Sequence, residues 1–426
     1  MRGAFSFPQA SGRAQALGEI HARPLRPLGP SRVVFQLAFM SESGSAAGST
    51  MVSDMARQRG VPPPDDSTNH VALAWGQGTL RWERHTEFST YSWDCPAPDT
   101  FFAPVGAHPF GAEFAPPGPF LSGARVEVRP EDEDIDKAIA MFDPVSLTIS
   151  DLKAARATVV TDFRQDEDGL TRFLIIDRGM SDAMRGVICQ RLLDIETYRT
   201  LATLGLELAR QLSPDIARLE EQLTAVTHRM KEDVRHHADD LLREITRMSA
   251  ELEANAALSL YRFGASRAYY TIVRERIAAL GESGVPGREM LGAFLDRRLA
   301  PALRTCQAVE ERQANLSRKM ARATTLIRSW IDVELEKQNG ALLRSMNRRV
   351  KLQLRMQQTV EGLSVAAISY YVVGLFSYLA KLQEATFGWP ETSLATGAFV
   401  PVAIFGTWWV VRAIRRHHPV SDEDTD

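Results

Sequence analysis

Two hydrophobic rhythms divide the chain. Up to about Met180, apolar residues come in short blocks bounded by glycine, proline and polar clusters, the pattern of strands. "RVVFQLAFM" reads as a buried strand. "HVALAWGQGTLRWERHTEFSTYSW" reads as a strand, a Gly-Gln-Gly turn and a longer strand or strand pair. "ATVVTDFRQDEDGLTRFLIIDRGM" predicts a hairpin closing at Asp168-Gly169. Helices are expected around Met51 to Arg59 and Asp134 to Phe142. "SESGSAAGST" has the composition of a flexible loop, "VPPPDD" and "APPGPF" of stiff connections, and "EIHARPLRPL" of an extended surface segment.

From Ser181 onward the period changes to three and four residues. Ser181 is placed to cap a helix whose apolar face carries Ile188, Leu192, Ile195, Leu201, Leu204 and Leu208. Pro214 predicts an interruption and a second helix starting about there. That helix has a stripe of Ile216, Leu219, Leu223, Val226 and Met230, which resumes as Val234, Ala238, Leu241, Ile245, Met248 and Leu252. Between Met230 and Ala238 the stripe advances eight residues instead of seven. Such a skip disturbs a supercoil, and it favours an antiparallel return helix of the same chain over a long uniform dimer. "LGESGVPGRE" is the clearest break, and Pro301 suits the first turn of a last long helix. Apolar positions Cys306, Val309, Leu316, Met320, Ile327, Leu335, Leu342 and Leu352 continue along it toward Ala380, with Gly340 as the natural bend.

Near the C-terminus periodicity gives way to saturation. Gly362 to Ala380 is 19 residues without a charge and Leu394 to Val411 is 18, close to the roughly 20 that cross a bilayer as helix. Arg344, Arg348, Arg349, Lys351 and Arg355 precede the first run; Arg412, Arg415 and Arg416 follow the second. The connection between them holds only Lys381 against Glu384 and Glu391. Positive charge stays on the cytoplasmic side, so both termini are expected inside. Trp389 fits the outer interface, Trp408 and Trp409 the inner one. On the first run Ser364, Tyr371, Gly374, Ser377 and Tyr378 are small or hydroxyl-bearing; they suit helix packing in lipid, or the lining of a pore. No acid or base lies inside either run, so the usual mark of an ion relay is missing. Pro401 predicts a kink in the second.

These readings give an α+β cytoplasmic domain over 1–180, a long antiparallel helical stalk over 181–361, a transmembrane hairpin over 362–411 and a cytoplasmic tail over 412–426. A net charge of -3 argues against nucleic acid as a partner, since that needs a basic field. The N-terminus shows no apolar core of signal-peptide length. Cys95, Cys189 and Cys306 are far apart and form no CxxC spacing, which fits a reducing compartment.

Candidate chemistry is sparse. Strand alternation over "RWERHTEF" places Arg81, Glu83, His85 and Glu87 on one face, an acid/base or cation site if they converge and a solvated charged face if they do not. His236, His237, Asp239 and Asp240 offer metal ligands, but adjacent histidines point about 100° apart on a helix, and a solvated face suits them better. "EDEDID" enters a predicted helix, where acids complement the dipole. Nothing in the chain spells a nucleotide loop, a nucleophile elbow or a metal signature, so no cofactor is expected and an enzyme is not the favoured reading.

"EIHARPLRPL", "LRWERHTEFSTYSW" and "VEGLSVAAISYYVVGLFSYLAK" together resemble a bacterial family of unknown function described as "uncharacterised membrane-anchored protein", over nearly the whole chain. That resemblance implies the bacterial inner membrane and supplies no activity. The order of parts also resembles CorA-type magnesium channels, homopentamers whose first spans line the pore below a Gly-Met-Asn motif. By that analogy the chain is a homo-oligomer, pentameric if it holds fully. Where the motif belongs, this chain reads "GLFSYLAKLQEATFGWPE", without Gly-Met-Asn and with Lys381 at the mouth.

Overall fold

The computed structural model describes residues 7, 10–13, 17, 26–41, 46–64, 68–111, 114–131, 134–153, 156–387 and 392–417. His21, Arg23, Trp389 and Glu391 lie outside them. Two compact units share the chain, Met1–Thr325 and Leu326–Asp426.

The first unit is built on a nine-stranded sheet in the order β2-β3-β4-β1-β5-β8-β7-β6-β9. β1 is Arg32–Met40, β2 His70–Trp75, β3 Gly78–Arg84, β4 Phe88–Pro96, β5 Phe120–Pro130, β6 Thr148–Leu152, β7 Ala157–Thr161, β8 Thr171–Asp177 and β9 Glu282–Gly284. Only β5 and β8 run parallel; the other neighbours are antiparallel. Both hairpins read from the sequence form. Gly76 and Gly169 take positive φ in their turns, the conformation glycine reaches without strain. The longer strand after Gly-Gln-Gly is the pair β3 and β4. β9 lies within the segment expected to be a bare break.

Two helices cover one face of the sheet. α1 (Ala46–Gln58) buries Val52, Met55 and Ala56 against Trp82, Tyr91 and Trp93. Its first turn lies inside the stretch expected to be a loop, because the Tyr91 hydroxyl donates to the Gly48 carbonyl (3.3 Å) and tertiary burial overrides a weak propensity. α2 (Ile135–Ile139) is shorter than expected and packs Ala138 with Phe142 over Ile149, Val160 and Leu174.

The other face meets α3, a helical run over Asp182–Leu280. Ser181 caps it, accepting from the Met184 amide (3.3 Å). The break expected at Pro214 does not occur, and the helix runs through it. Proline leaves the Arg210 carbonyl without its donor, but the Ser213 hydroxyl donates to Ala209 one residue away (2.7 Å), and buried Leu212, Ile216 and Leu219 hold the segment. α3 also doubles back on itself. Arg229 pairs with Glu244 only fifteen residues on, a separation of roughly 22 Å along a straight helix. Arg218 with Glu251, Asp194 with Arg276 (2.8 Å) and Arg191 with the Ala279 carbonyl (2.7 Å) extend the same antiparallel register. The reversal falls at the eight-residue skip.

α4 (Leu291–Phe387) begins ten residues before the proline expected to start it. Its first amides are capped from outside: Leu291 donates to Ser150 Oγ (2.9 Å) and Gly292 to Glu282 Oε1 (3.1 Å). Up to Thr325 it packs with the two arms of α3. Ser259 donates to Gln313 (3.1 Å), Arg312 pairs with Glu220 (2.8 Å), and Leu219, Leu241, Met248, Phe263, Val309, Leu316 and Met320 are buried.

The second unit is the remainder of α4 with α5 (Thr392–His417). The helix passes through Gly340, the expected bend. Leu335, Leu342 and Leu352 are exposed, so the apolar stripe continues without cover in this chain. Phe376 stacks on Phe399 with ring centroids 4.0 Å apart, and Ser369 and Ala403 are buried. Both helices contain stretches long and apolar enough to cross a membrane.

Candidate functional site

The helix-facing side of the sheet changes character across its width. On β5, β7 and β8 it carries Val126, Val128, Val159, Phe173 and Ile175, sealed by Ile188, Leu192 and Ile195 of α3. On β1 to β4 the same side carries Gln36, His70, Arg81, Glu83, Thr90, Ser92 and Asp94. Register aligns these into two cross-strand rows, Gln36–Ser92–Arg81 and Thr90–Glu83–His70. Helix α3 faces them with Gly186, Gln190, Asp194 and Thr197, at helical steps of three and four. A cavity of about 230 Å³ remains between floor and wall, closed in part by Tyr198 and by Arg276 from the returning arm.

Arg26 is the deepest cation in this cavity, 7 % exposed. The chain before β1 crosses α3 as a strap. Leu28 donates to the Asp182 carbonyl (2.9 Å), and Arg185 Nε donates to the Leu28 carbonyl (2.8 Å). The crossing works only at a glycine: a Cβ on Gly186 would lie 1.5 Å from the Arg26 carbonyl oxygen. The expected surface segment is therefore buried at this end.

The electrostatics are lopsided. Arg26, Arg32 and Arg81 all meet one carboxylate, that of Asp94. Burial raises the Asp94 carboxyl, but Arg26 and Arg32 outweigh it and hold it below the ordinary carboxylate range. Burial lowers the Arg81 guanidinium, and the charge of Arg26 lowers it further. Nη2 of Arg26 serves Asp94, while its Nε and Nη1 are buried with no hydrogen-bond partner among the described residues. A buried polar donor left unmatched costs about 1–3 kcal/mol. Across the cavity Gln190 donates to Asp194 (2.9 Å), Gln36 donates to Thr197 (3.1 Å), and His85 stacks on Phe88 with centroids 4.2 Å apart.

Of the four polar residues read from one strand, Arg81, Glu83 and His85 line the cavity and are half-buried, which replaces the solvated face favoured for them. Glu87 departs from the group. β3 ends at Arg84, the chain turns, and Glu87 pairs instead with Arg262 (2.8 Å) and Tyr269 of the returning arm. Gln190, Asp194, Thr197 and Arg276 were not singled out from the sequence. Their signal was present as polar residues recurring on the otherwise buried face of α3.

Two further polar groups have structural work. Glu127 is fully buried between Arg125 (2.6 Å) and Arg129 (3.0 Å). Arg125 also donates to the carbonyls of Phe102 (3.0 Å) and Ala103 (2.7 Å), so this triad ties a loop to the sheet. Asp240 is exposed and pairs with Arg243 (2.9 Å); no group of three or more metal-ligating side chains occurs among the described residues. The three cysteines are free and buried in separate places. Cys95 lies in the α1-side core and Cys189 in the α3-side core. Cys306 lies on α4, its sulfur close to Gly205. Burial pushes the Cys189 thiol up to about 12 and that of Cys95 up to about 11.

In the second unit Tyr371 and Tyr378 are 71 % and 77 % exposed. Ser364 is exposed and returns its hydroxyl to the Val360 carbonyl (2.8 Å). Ser377 and Gly374 are half-buried, and a Cβ on Gly374 would meet nothing within 4 Å. Ser369, which is not among those five candidates, is the more deeply buried hydroxyl on this run.

A family described as "Protein of unknown function (DUF3422)" matches residues 8–418. The chain belongs to the DUF3422 family. No curated protein matches it. Among solved structures, this DUF3422 chain is similar to one titled "structure of the full-length CmaX protein", at 13 % identity and a TM-score of 0.15, covering 82 % of this chain and 97 % of that one. A TM-score this low carries no argument, and the likeness to CorA-type channels rests on the order of parts alone.

Proposed function

We propose that this DUF3422 protein is a membrane-anchored binding protein, with the sheet unit as its cytoplasmic receptor and the C-terminal helices as its anchor. One observation carries the anchor: across two charge-free stretches large apolar residues, such as Leu363, Leu375, Leu394 and Phe405, are exposed. Exposed apolar area of this extent is unfavourable in water by about 25 cal/mol per Å² and favourable in lipid. The cavity supports a binding role, because its lining offers hydrogen-bond donors and charge converging on one small volume. Self-association is part of the proposal, since the exposed stripe of Leu335, Leu342 and Leu352 continues a buried one.

Fractionated cells test the anchor. The full chain is expected to stay in the membrane pellet at alkaline pH and to leave it only with detergent. Release by alkali alone sinks the reading, and a monomeric mass in mild detergent sinks the self-association. A second reading, an ion pathway, is favoured by the exposed hydroxyls of Tyr371 and Tyr378, seven residues apart on one face. Ion flux in proteoliposomes that is lost in Tyr378→Leu supports it, and absence of flux for every ion tried removes it.

A further inference from the structure

The binding reading above names no ligand, and the cavity's own charges narrow the choice. We infer that the cavity between β1–β4 and α3 binds a small oxyanion, a carboxylate or phosphate group on a compact polar solute, with Arg26 as its principal contact. Three features of the cavity carry this. Arg26 is more than nine-tenths buried and lines the cavity, with Nε and Nη1 lacking any partner among the described residues. Its one carboxylate, Asp94, is shared with Arg32 and Arg81; with Arg276 set against Glu83 and Asp194 of the lining, four guanidiniums face three carboxylates, so the local charge stays positive before a ligand arrives. Guanidinium groups are the usual recognition element for carboxylate and phosphate oxygens. The strap geometry is the third feature, because Gly186 exists as the only residue type that lets the Arg26 backbone cross the helix and place that side chain inside.

Size and lining set further limits. A volume of about 230 Å³ is below the ~300 Å³ at which pockets for drug-sized ligands begin, so the solute is small. Away from Arg26 the lining holds the amides of Gln36 and Gln190, the hydroxyls of Thr90 and Thr197, and the carboxylates of Glu83 and Asp194. These suit hydroxyl or amide groups on the rest of the ligand, not a hydrocarbon tail.

The test uses the full chain in detergent, at constant ionic strength set with chloride. Thermal melting is followed against inorganic phosphate and, separately, against acetate and succinate. A saturable rise in melting temperature with phosphate or with a carboxylate is expected for the wild type. In Arg26→Gln the apparent affinity is expected to fall at least tenfold, and in the exposed control Arg243→Gln it is expected not to change. Response to phosphate alone identifies the ligand group as phosphate, and response to carboxylates alone identifies it as carboxylate. No saturable response to any probe, or an equal response in Arg26→Gln, overturns the inference. Should Arg26→Gln fail to fold, hydrogen exchange on the wild type decides. Protection by the probe over β3 and residues 186–198 supports the site; protection elsewhere, or none, refutes it. These readouts are independent of membrane attachment, so failure of the anchor and failure of the anion site are told apart.

Discussion

One face of the sheet has two halves of different character, although a single helix covers both. On β5, β7 and β8 the side toward α3 is apolar and fully sealed. On β1 to β4 the same side, under the same helix, is polar and leaves a cavity. Strand alternation is equally regular in both. What differs is the chemistry of every second residue, and the helix above changes in step: Ile188, Leu192 and Ile195 meet the apolar half, while Gly186, Gln190, Asp194 and Thr197 meet the polar half. Burial of hydrocarbon stabilises the first half, while the second leaves polar groups around a cavity, the feature on which the proposed binding role rests.

Substitutions that exchange the roles of the halves test this contrast. Phe173→Ala, in the sealed half, is expected to cost about 3–5 kcal/mol through lost contact and the cavity left behind, read as a lower urea midpoint with unchanged slope. Asp94→Asn, in the polar half, is expected to cost about 2–3 kcal/mol, since it removes the carboxylate that three guanidiniums share, with partial solvent access and the nearby Glu83 moderating the penalty of a broken buried pair. It also has a pH signature. The Asp94 carboxyl is depressed in the folded state, so its contribution is complete above the unfolded value near ~3.9 and is lost as pH falls through the folded one. Asp94→Asn should therefore flatten part of the acid-side loss of stability that the wild type shows.

Gly186→Ala is expected to cost about 1–3 kcal/mol as an overpacking change, with faster hydrogen exchange at the strap. The smallest effect is expected for Thr90→Val on the cavity floor, under ~1 kcal/mol by melting temperature. A Thr90→Val penalty as large as that of Phe173→Ala would erase the distinction between the halves.

The same contrast governs what the sequence alone makes legible. β1 is legible to the residue because "RVVFQLAFM" is an apolar run broken only by Gln36 and sits between polar stops. The reversal of α3 was marked by a skip in the stripe, a local signature of a change in packing partner. Pro214 and Pro301 misled because proline reports a missing donor, and packing or a neighbouring hydroxyl made the loss tolerable. Arg81, Glu83 and His85 were visible as a set, but the wall that makes them a cavity comes from residues more than a hundred positions away. Arg26 was the hardest to place. Its segment reads as surface, and only the glycine at 186, which spacing alone does not connect to it, brings it inside.

The three cysteines have a practical use that their chemistry alone would not suggest. Each thiol is shut away in a different layer, and burial keeps all three protonated and slow to react. A thiol reagent added to the native protein therefore meets them only when their own layer opens. Cys95 reports the α1 side of the sheet, Cys189 the α3 side, and Cys306 the bundle. Without any engineered label, the protein carries three separate clocks, and their relative rates would record the order in which its parts come undone.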